Sequence, residues 1–220
     1  MTPGFETVHV DGSLIVLNKA AGLLAVPGRG EDRQDCLSRR VQQHYPEALI
    51  VHRLDMATSG LMLMARGTGA QSALAKLFES RTVHKRYTAV VNGDMGDRQN
   101  PAQDDEGWGL IDLAISVDWP RRPLRMIDAE YGKPSQTRWR AMAFDAAADT
   151  TRLELEPITG RSHQLRVHLQ ALGHPIVGDM LYGGDAVQAT TARMLLHASA
   201  LTLRHPVSGE LLHFACKPEF

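Results

Sequence analysis

Hydrophobic and polar positions change most abruptly in the segment 51–66, which reads Val-His-Arg-Leu-Asp-Met-Ala-Thr-Ser-Gly-Leu-Met-Leu-Met-Ala-Arg. Its first half is rich in side chains that carry charge or form hydrogen bonds, and its second half is an apolar run of strand length. Gly60 allows a tight turn where the halves meet. The pattern predicts a polar loop anchored to a buried strand, with the carboxylate of Asp55 between the cation of Arg53 and the hydroxyl groups of Thr58 and Ser59.

Two interpretations of this loop remain open on the residues alone. A loop that is anchored in this way suits a reactive carboxylate that must be held still. Asp, Ser and Thr are also the usual residues of turns, so Asp55 and Thr58 could instead form a local turn with Arg53 as an exposed ion-pair partner.

Other patterns place further strands and helices along the chain. Strand-like alternation or apolar runs occupy 13–17, 84–92, 137–144, 152–156, 195–203 and 211–215. Helical spacing occupies 35–45, 70–80 and 162–172, with Asp35 and Ser162 as candidate N-caps and Gly173 at the last C-terminal stop. Strands outnumber helices and hairpin-type connections recur. We therefore predict an α+β fold with a largely antiparallel mixed β-sheet core and flanking helices.

Two polar segments lie between these elements. The segment 93–109 is acidic and poor in apolar residues, which predicts an exposed excursion rather than a metal site. The segment 118–123, Asp-Trp-Pro-Arg-Arg-Pro, leads to Arg125 and combines two prolines with basic residues. It is suited to contact a polyanion.

Composition narrows the class of protein. A chain of 220 residues with 43% hydrophobic content can bury a core in one domain. No secretory signal or run of bilayer length is visible, so we expect a soluble cytoplasmic protein, and we expect its two cysteines to be free thiols. The net charge of −1 does not by itself indicate a nucleic-acid partner, but phosphate binding needs only one basic face of the protein.

A second polar cluster, 157–168, reads Pro-Ile-Thr-Gly-Arg-Ser-His-Gln-Leu-Arg-Val-His. Two guanidinium groups, two imidazoles and an amide surround a predicted helix start, an arrangement that suits a phosphate through backbone N–H groups, dipole and charge. Taken singly, His163 or His168 is better explained by a structural role, because a metal site needs more ligands at suitable spacing.

The two clusters together resemble a known family. His52-Arg53-Leu54-Asp55 followed by Thr58-Ser59-Gly60 resembles the signature of the RluA-type pseudouridine synthases, and the runs 160–168 and 173–179 resemble their other shared block. The resemblance extends to 19–22, 84–90 and 132–137, and therefore covers nearly the whole chain. One departure is Ala20, where the family usually has proline. Details at 55–58 and 118–120 resemble the compact members that modify both large-subunit rRNA and a tRNA anticodon stem-loop.

The resemblance implies the fold and the reaction. It implies the pseudouridine synthase catalytic fold with a central active-site cleft, as a single catalytic domain over 1–220 without an N-terminal S4-like domain. The implied reaction is the isomerisation of uridine to pseudouridine in RNA. Because this reaction removes no electrons and adds no group, we expect no cofactor and no metal. The expected partners are rRNA and tRNA stem-loops, with no membrane and a monomeric protein.

The resemblance also assigns roles to individual residues. Asp55 matches the catalytic aspartate, Arg166 the guanidinium that orients it, and Tyr87 the active-site tyrosine that stacks on the uracil. Whether the carboxylate attacks C1′, adds to C6 or removes a 2′-proton stays open. The expected substrate contacts are His52, Arg53, Thr58, Arg161, His163 and Gln164, and the expected phosphate contacts include Lys85, Arg86, Arg121, Arg122 and Arg125.

Two other functions remain as alternatives. An N-glycoside hydrolase also uses a carboxylate near the anomeric carbon and would release free uracil. A non-catalytic RNA-binding module would bind RNA without forming pseudouridine.

Overall fold

The structure is a computed structural model and describes residues 4–96, 106–188 and 191–220. In chain order the elements are β1 Phe5–Val10, β2 Leu14–Lys19, α1 Leu37–Gln42, β3 Ala48–Ile50, β4 Ser59–Arg66, α2 Thr68–Glu79, β5 His84–Asn92, β6 Gly109–Asp112, β7 Ile115–Val117, β8 Arg125–Ile127, β9 Gln136–Asp145, β10 Thr150–Pro157, α3 Gln164–Ala171, α4 Gly184–Gln188, β11 Leu196–Arg204 and β12 Leu211–Ala215. A short 3₁₀ turn covers Glu31–Arg33. The chain divides into two compact units, the first of residues up to Lys85 with His197–Glu219 and the second of Arg86–Leu196 with Phe220.

The first unit is built on β2 and β4, which are buried on both faces. Its strand order is β1-β2-β4-β11, with β3 beside β4 and β12 beside β11. Neighbours run antiparallel except β4 and β11, which are parallel where Ser59 pairs with His197. The core combines side chains of β2, β4, α2 and β11, namely Leu14, Val16, Leu61, Leu63, Ala65, Leu74, Leu201 and Leu203. This confirms the buried strand predicted after the polar loop.

The second unit is an antiparallel sheet of order β5-β10-β9-β6 with a separate β7–β8 hairpin. Strand β10 alternates between buried and half-buried residues, and Leu153 and Leu155 are fully buried. This period of two is what a sheet with one covered face requires. Helix α3 contacts β8, β9 and β10 and buries both apolar and polar side chains. Within each unit the predicted α+β class with mostly antiparallel pairing is confirmed.

Both predicted N-caps are wrong. Helix α1 begins after Cys36, and the carboxylate of Asp35 binds the guanidinium of Arg40 instead of a backbone N–H. The residue before α3 is His163, whose left-handed backbone (φ 59°) brings the chain into the helix, so Ser162 lies one residue too early. In contrast, Gly173 has the positive φ of 84° expected after a helix.

The short strands β3, β6, β7 and β8 were not predicted, because three or four residues are too few to show a period. The predicted acidic excursion falls mostly on residues outside the described ranges, and its last part instead leads through the buried Trp108 into β6. Among the helices of the described ranges, none is long and apolar enough to cross a membrane.

Gly60 provides a test of the strand pairing that follows the polar loop. Its φ is +107°, and a Cβ atom would overlap the carbonyl oxygen of Ala198 and lie 2.6 Å from the nitrogen of the same residue. Because backbone rather than a flexible side chain fills that space, we expect Gly60→Ala to lower the free energy of unfolding by more than about 2 kcal/mol in urea titrations.

The matched control is Gly69→Ala in α2, where an added Cβ meets no atom within 4 Å. It should leave stability unchanged or raise it by up to about 1 kcal/mol. Equal stability of the two variants would show that the β4–β11 contact tolerates a side chain.

Candidate active site

The predicted catalytic carboxylate lies on the segment that connects β3 to β4. Asp55 is half-buried and Arg53 is exposed, whereas Leu54 between them is only 5% exposed and anchors the segment. The N–H of Thr58 donates to the carbonyl of Asp55 at 3.1 Å, which forms a local turn. The local turn that the residue types of this segment suggested is therefore present, and it is compatible with a carboxylate held for reaction.

A fully buried lysine fixes this segment through hydrogen bonds to backbone carbonyls. Lys19, the last residue of β2, donates from Nζ to the carbonyl oxygens of Ala20 (2.8 Å), Leu23 (2.8 Å) and Met56 (3.2 Å). The Met56 carbonyl also accepts from the N–H of Gly22 at 2.8 Å. Because the three donors of an ammonium group meet three carbonyls, the charge is solvated by the protein, and the residue next to Asp55 is held from two directions.

Ala20, the departure from the family pattern, makes a hydrogen bond that proline cannot make. Its N–H donates to the carbonyl oxygen of Gly4 at 2.9 Å. Proline has no N–H, so the substitution exchanges ring rigidity for a bond that ties the chain after β2 to the residue before β1. The loop whose carbonyls accept hydrogen bonds from Lys19 is therefore fixed by this backbone bond instead of by a proline ring.

A buried serine–histidine pair holds the other end of the segment. The Nε2–H of His197 donates to the carbonyl of Cys216 at 3.1 Å, so Nδ1 is the acceptor of the Ser59 hydroxyl at 2.9 Å. Both side chains are less than 5% exposed. This chain of bonds ties the first residue of β4 to β11 and to the residue after β12.

His52, predicted as a substrate contact, anchors the start of the segment. Its Nε2 accepts from the N–H of Leu63 at 2.9 Å, and its ring stacks on Phe78 with 4.6 Å between centroids. Burial, reinforced by the charge of Lys85, lowers the pKa of His52 to about 3. The ring is therefore neutral at physiological pH. These contacts support a positioning role, and contact with substrate stays a prediction.

In the second unit, Arg166 is held by a carboxylate that sequence reasoning did not assign. Its Nε and Nη2 each lie 2.7 Å from an oxygen of Asp179, and the two side chains are only 5% and 0% exposed. Asp179 also accepts from the N–H groups of Leu181 and Tyr182 at 2.9 and 3.2 Å. A bidentate pair with this support fixes the plane of the guanidinium.

Tyr182 joins Arg166 to the start of α3. Its ring lies 5.0 Å from the Arg166 guanidinium, and its hydroxyl accepts from the N–H of Arg125 at 2.9 Å. The same hydroxyl lies 2.7 Å from Nδ1 of His163 and donates to it. Burial raises the pKa of Tyr182, which keeps the hydroxyl protonated for that bond.

The amide of Gln164 is engaged within the protein. Its Oε1 accepts from the hydroxyl of Thr159 at 2.7 Å and from the N–H of Arg161 at 3.0 Å. Its Nε2 donates to the carbonyl of Gln136 and to the hydroxyl of Thr137. The N–H of Arg161, one of the backbone groups expected to bind a phosphate, therefore already donates a hydrogen bond within the protein. Gln164 holds this loop, and direct substrate contact stays a prediction for it and for the exposed Arg161.

His168 has the structural role that its sequence context favoured. It is fully buried; Nε2–H donates to the carbonyl of Leu113 at 3.0 Å, and Nδ1 accepts from the hydroxyl of Thr137 at 3.0 Å. Burial lowers its pKa. Within the described ranges, no group of three or more His, Cys, Asp or Glu side chains is arranged to hold a metal ion.

The predicted site residues divide between the two units. The first unit contains His52, Arg53, Asp55 and the buried Thr58, all on the β3–β4 segment. The second contains half-buried Tyr87 on β5, opposite Leu155 of β10, and the residues around the start of α3. Sequence reasoning missed four supporting residues, Lys19, Asp179, Tyr182 and His197. The available signals were a lysine ending an apolar strand and an aspartate after the Gly178 turn.

A rigidly held loop carboxylate and a clamped arginine on an α+β scaffold are what the family resemblance requires. The chain belongs to the RNA pseudouridylate synthase family, which matches residues 13–171. Among solved structures, human RNA pseudouridylate synthase domain containing 1 is similar to the whole chain and to 86% of that protein, with a TM-score of 0.78 and 28% identity. Human RNA pseudouridylate synthase domain containing 4 is similar to 97% of the chain, with a TM-score of 0.69 and 25% identity, over 88% of its own length.

The sequence is also similar to particular enzymes. The dual-specificity RNA pseudouridine synthase RluA of Escherichia coli strain K12 is 44% identical over 218 residues, which are 99% of this chain and 95% of that protein. The enzyme of the same name from Yersinia pestis is 44% identical over 213 residues, 97% of this chain and 98% of that protein. The resemblance seen in the sequence is thereby confirmed.

The hydrogen bonds of Lys19 predict that both stability and activity depend on this side chain. Lys19→Met keeps much of the side-chain volume but removes one hydrogen bond from each of three carbonyls, of which only that of Met56 keeps a second donor among the residues that the structure describes, the N–H of Gly22. We expect a loss of about 3 kcal/mol or more in the free energy of unfolding, and at least a tenfold loss of pseudouridine formation in the folded fraction.

The control is Lys76→Met, a change at an exposed position of α2. It should alter both quantities little. A Lys19→Met variant with wild-type stability and activity would contradict the proposed support of the Asp55 segment.

The neutral ring of His52 predicts a pH dependence of the free energy of unfolding. Because the folded pKa of His52 is about 3, below the ordinary 6.5, the unfolded chain takes up a proton that the folded chain does not. Stability from this group is complete above pH 6.5 and falls as the pH drops toward 3, by roughly 1 kcal/mol per pH unit. Urea titrations of His52→Asn should show a shallower decline between pH 6 and 4.5. His44→Asn, at an exposed position, should retain the wild-type slope; parallel curves for all three proteins would refute the assignment.

Proposed function

We propose that this protein converts specific uridines of structured RNA to pseudouridine, with Asp55, Tyr87 and Arg166 as the catalytic residues. The observation that carries the proposal is the family match over residues 13–171, combined with a half-buried Asp55 on a segment fastened by Lys19 and by the Ser59–His197 pair. The reaction breaks the N1–C1′ bond, turns the uracil and forms a C5–C1′ bond. We propose that both units act as one catalytic domain.

The three residues have distinct roles in this proposal. The carboxylate of Asp55 acts on the nucleoside, and Arg166 has the orienting role that the family resemblance gives it. Asp179 prepares Arg166 for this role because a bidentate pair leaves the guanidinium plane little freedom to rotate. The ring of Tyr87 stacks on the uracil while its hydroxyl lies near the reacting atoms.

A uridine within a stem-loop must leave the stack before it can react. Extrusion costs a few kcal/mol. Exposed Arg53 is suited to fill the vacated space and to hydrogen-bond the nucleotides left behind. Because the related enzymes are named dual-specificity RNA pseudouridine synthases, we propose two substrate classes, large-subunit rRNA and a tRNA anticodon stem-loop, modified in the cytoplasm by a monomer.

The decisive test is Asp55→Asn, which preserves shape but removes the ionisable group. Pseudouridine formation on an anticodon stem-loop transcript and on a fragment of large-subunit rRNA should fall by at least about a thousandfold, with an unchanged urea midpoint, because the carboxylate acts on the reacting nucleoside. Mass spectrometry with base-specific labelling measures the product.

The matched control is Asp35→Asn, an exposed carboxylate that binds the half-buried Arg40. It should retain activity. Full activity of Asp55→Asn would end the assignment of the carboxylate. Free uracil and abasic RNA from the wild type would instead identify an N-glycoside hydrolase, and RNA binding with no product would identify a non-catalytic module.

A further inference from the structure

A groove of about 810 Å³ lies within the second unit, apart from the residues proposed to be catalytic. The β7–β8 hairpin, the turn that follows β8 and the loop before α3 form its walls. Its volume falls in the usual range of ligand pockets, about 300–1,000 Å³. Two exposed aromatic rings, Trp119 and Tyr131, and three cationic side chains, Arg125, Lys133 and Arg161, line it.

The aromatic rings are exposed where burial would be the norm. Trp119 and Tyr131 are 67% and 79% exposed, whereas the other two tryptophans, Trp108 and Trp139, are 3% and 4% exposed. Tryptophan and tyrosine are enriched at surfaces that bind a partner, where the ring supplies apolar contact area and the polar end stays wet. The hairpin presents Trp119 at its tip.

The indole is held in place rather than loose. The guanidinium of Arg122 lies 3.5 Å from the ring centroid and covers one face. Next to it, Arg121 donates to the buried carboxylate of Asp118 at 2.7 Å, which fixes the base of the turn. Because two thirds of the residue is exposed although Arg122 covers one ring face, we infer that the opposite face is open to a planar partner. A preorganised ring loses little entropy when it stacks.

The charge of the groove favours an anion. Against the three cations stands one carboxylate, Asp128, whose Oδ1 accepts from the N–H groups of Glu130 and Tyr131 at 3.1 and 2.9 Å and is occupied as the cap of its turn. A planar aromatic surface beside cations matches a nucleobase and its phosphate. An acidic peptide would use the cations but has no counterpart for the accessible indole face.

We propose that this groove binds an unpaired nucleotide of the substrate RNA other than the target uridine, with the base stacked on Trp119 and the phosphate contacted by Lys133 and Arg161. The inference rests on the proposed function because it takes the ligand to be part of the same RNA. Every base has a stacking face, so this contact tolerates different sequences and would serve two unlike RNAs equally well.

The test measures binding without turnover. The Asp55→Asn variant is titrated with an anticodon stem-loop transcript, which has an unpaired loop, and with a blunt duplex of the same stem. Adding Trp119→Ala should weaken binding of the stem-loop about tenfold and leave the duplex unchanged. The added control Phe144→Ala, an exposed aromatic on β9 that does not line the groove, should change neither affinity by more than twofold.

Salt dependence separates stacking from phosphate contact. Lys133→Ala should weaken stem-loop binding and reduce the slope of log K against log salt by about 0.7, the value for one phosphate of a single strand. Trp119→Ala should lower affinity at every salt concentration without changing the slope. Lys76→Ala, a cation on α2 outside the groove lining, should leave both unchanged.

Three results would overturn the proposal. They are stem-loop binding by Trp119→Ala within twofold of its parent, equal losses on stem-loop and duplex, and displacement of the stem-loop by polyglutamate at the concentration at which oligouridylate displaces it. Failure of the proposed function is distinguishable, because it would appear as missing pseudouridine in the wild type while the pattern of binding losses persists.

Discussion

The ammonium group of Lys19 is the constraint on which the first unit's loop depends. It is a full charge with no exposed surface, and three carbonyl oxygens take the place of water around it. Burying an ammonium group without hydrogen-bond acceptors is strongly unfavourable, so the bonds to these oxygens hold the chain segments that supply them in place. One of them is Met56, directly after Asp55. The hydrogen bond that Lys19 donates to Met56 therefore also helps to fix the position of the neighbouring Asp55.

The second unit meets a similar need in a different way. Arg166 is buried as part of an ion pair, and Asp179, its partner, is itself held by two N–H groups of the following turn. Tyr182 adds a ring beside the guanidinium and a hydroxyl that reaches His163. In both units a cation is fixed by acceptors that have no reactive role. Rigidity of this kind allows small displacements to matter for chemistry.

The sequence predicted those features that repeat along the chain. The apolar run of β4 and the alternation of β10 report burial directly, because each side chain's face follows from its position. The supporting bonds leave no such pattern. Lys19 reaches a carbonyl 37 residues away, and Ser59 reaches a histidine 138 residues away, so both depend on strand register that local spacing does not encode. Family resemblance located Asp55 but not what holds it.

The first unit is discontinuous in the chain, and this affects how it is made. Strand β4 obtains its parallel partner, and Ser59 its histidine, only from the segment that begins at His197. A growing polypeptide is synthesised from its N-terminus, at about 5–20 residues per second. The loop that carries Asp55 therefore emerges from the ribosome well before the strand that secures it. Until then the nascent chain contains Asp55, the proposed catalytic residue, but not His197, which secures the end of its loop only after that later segment has been translated.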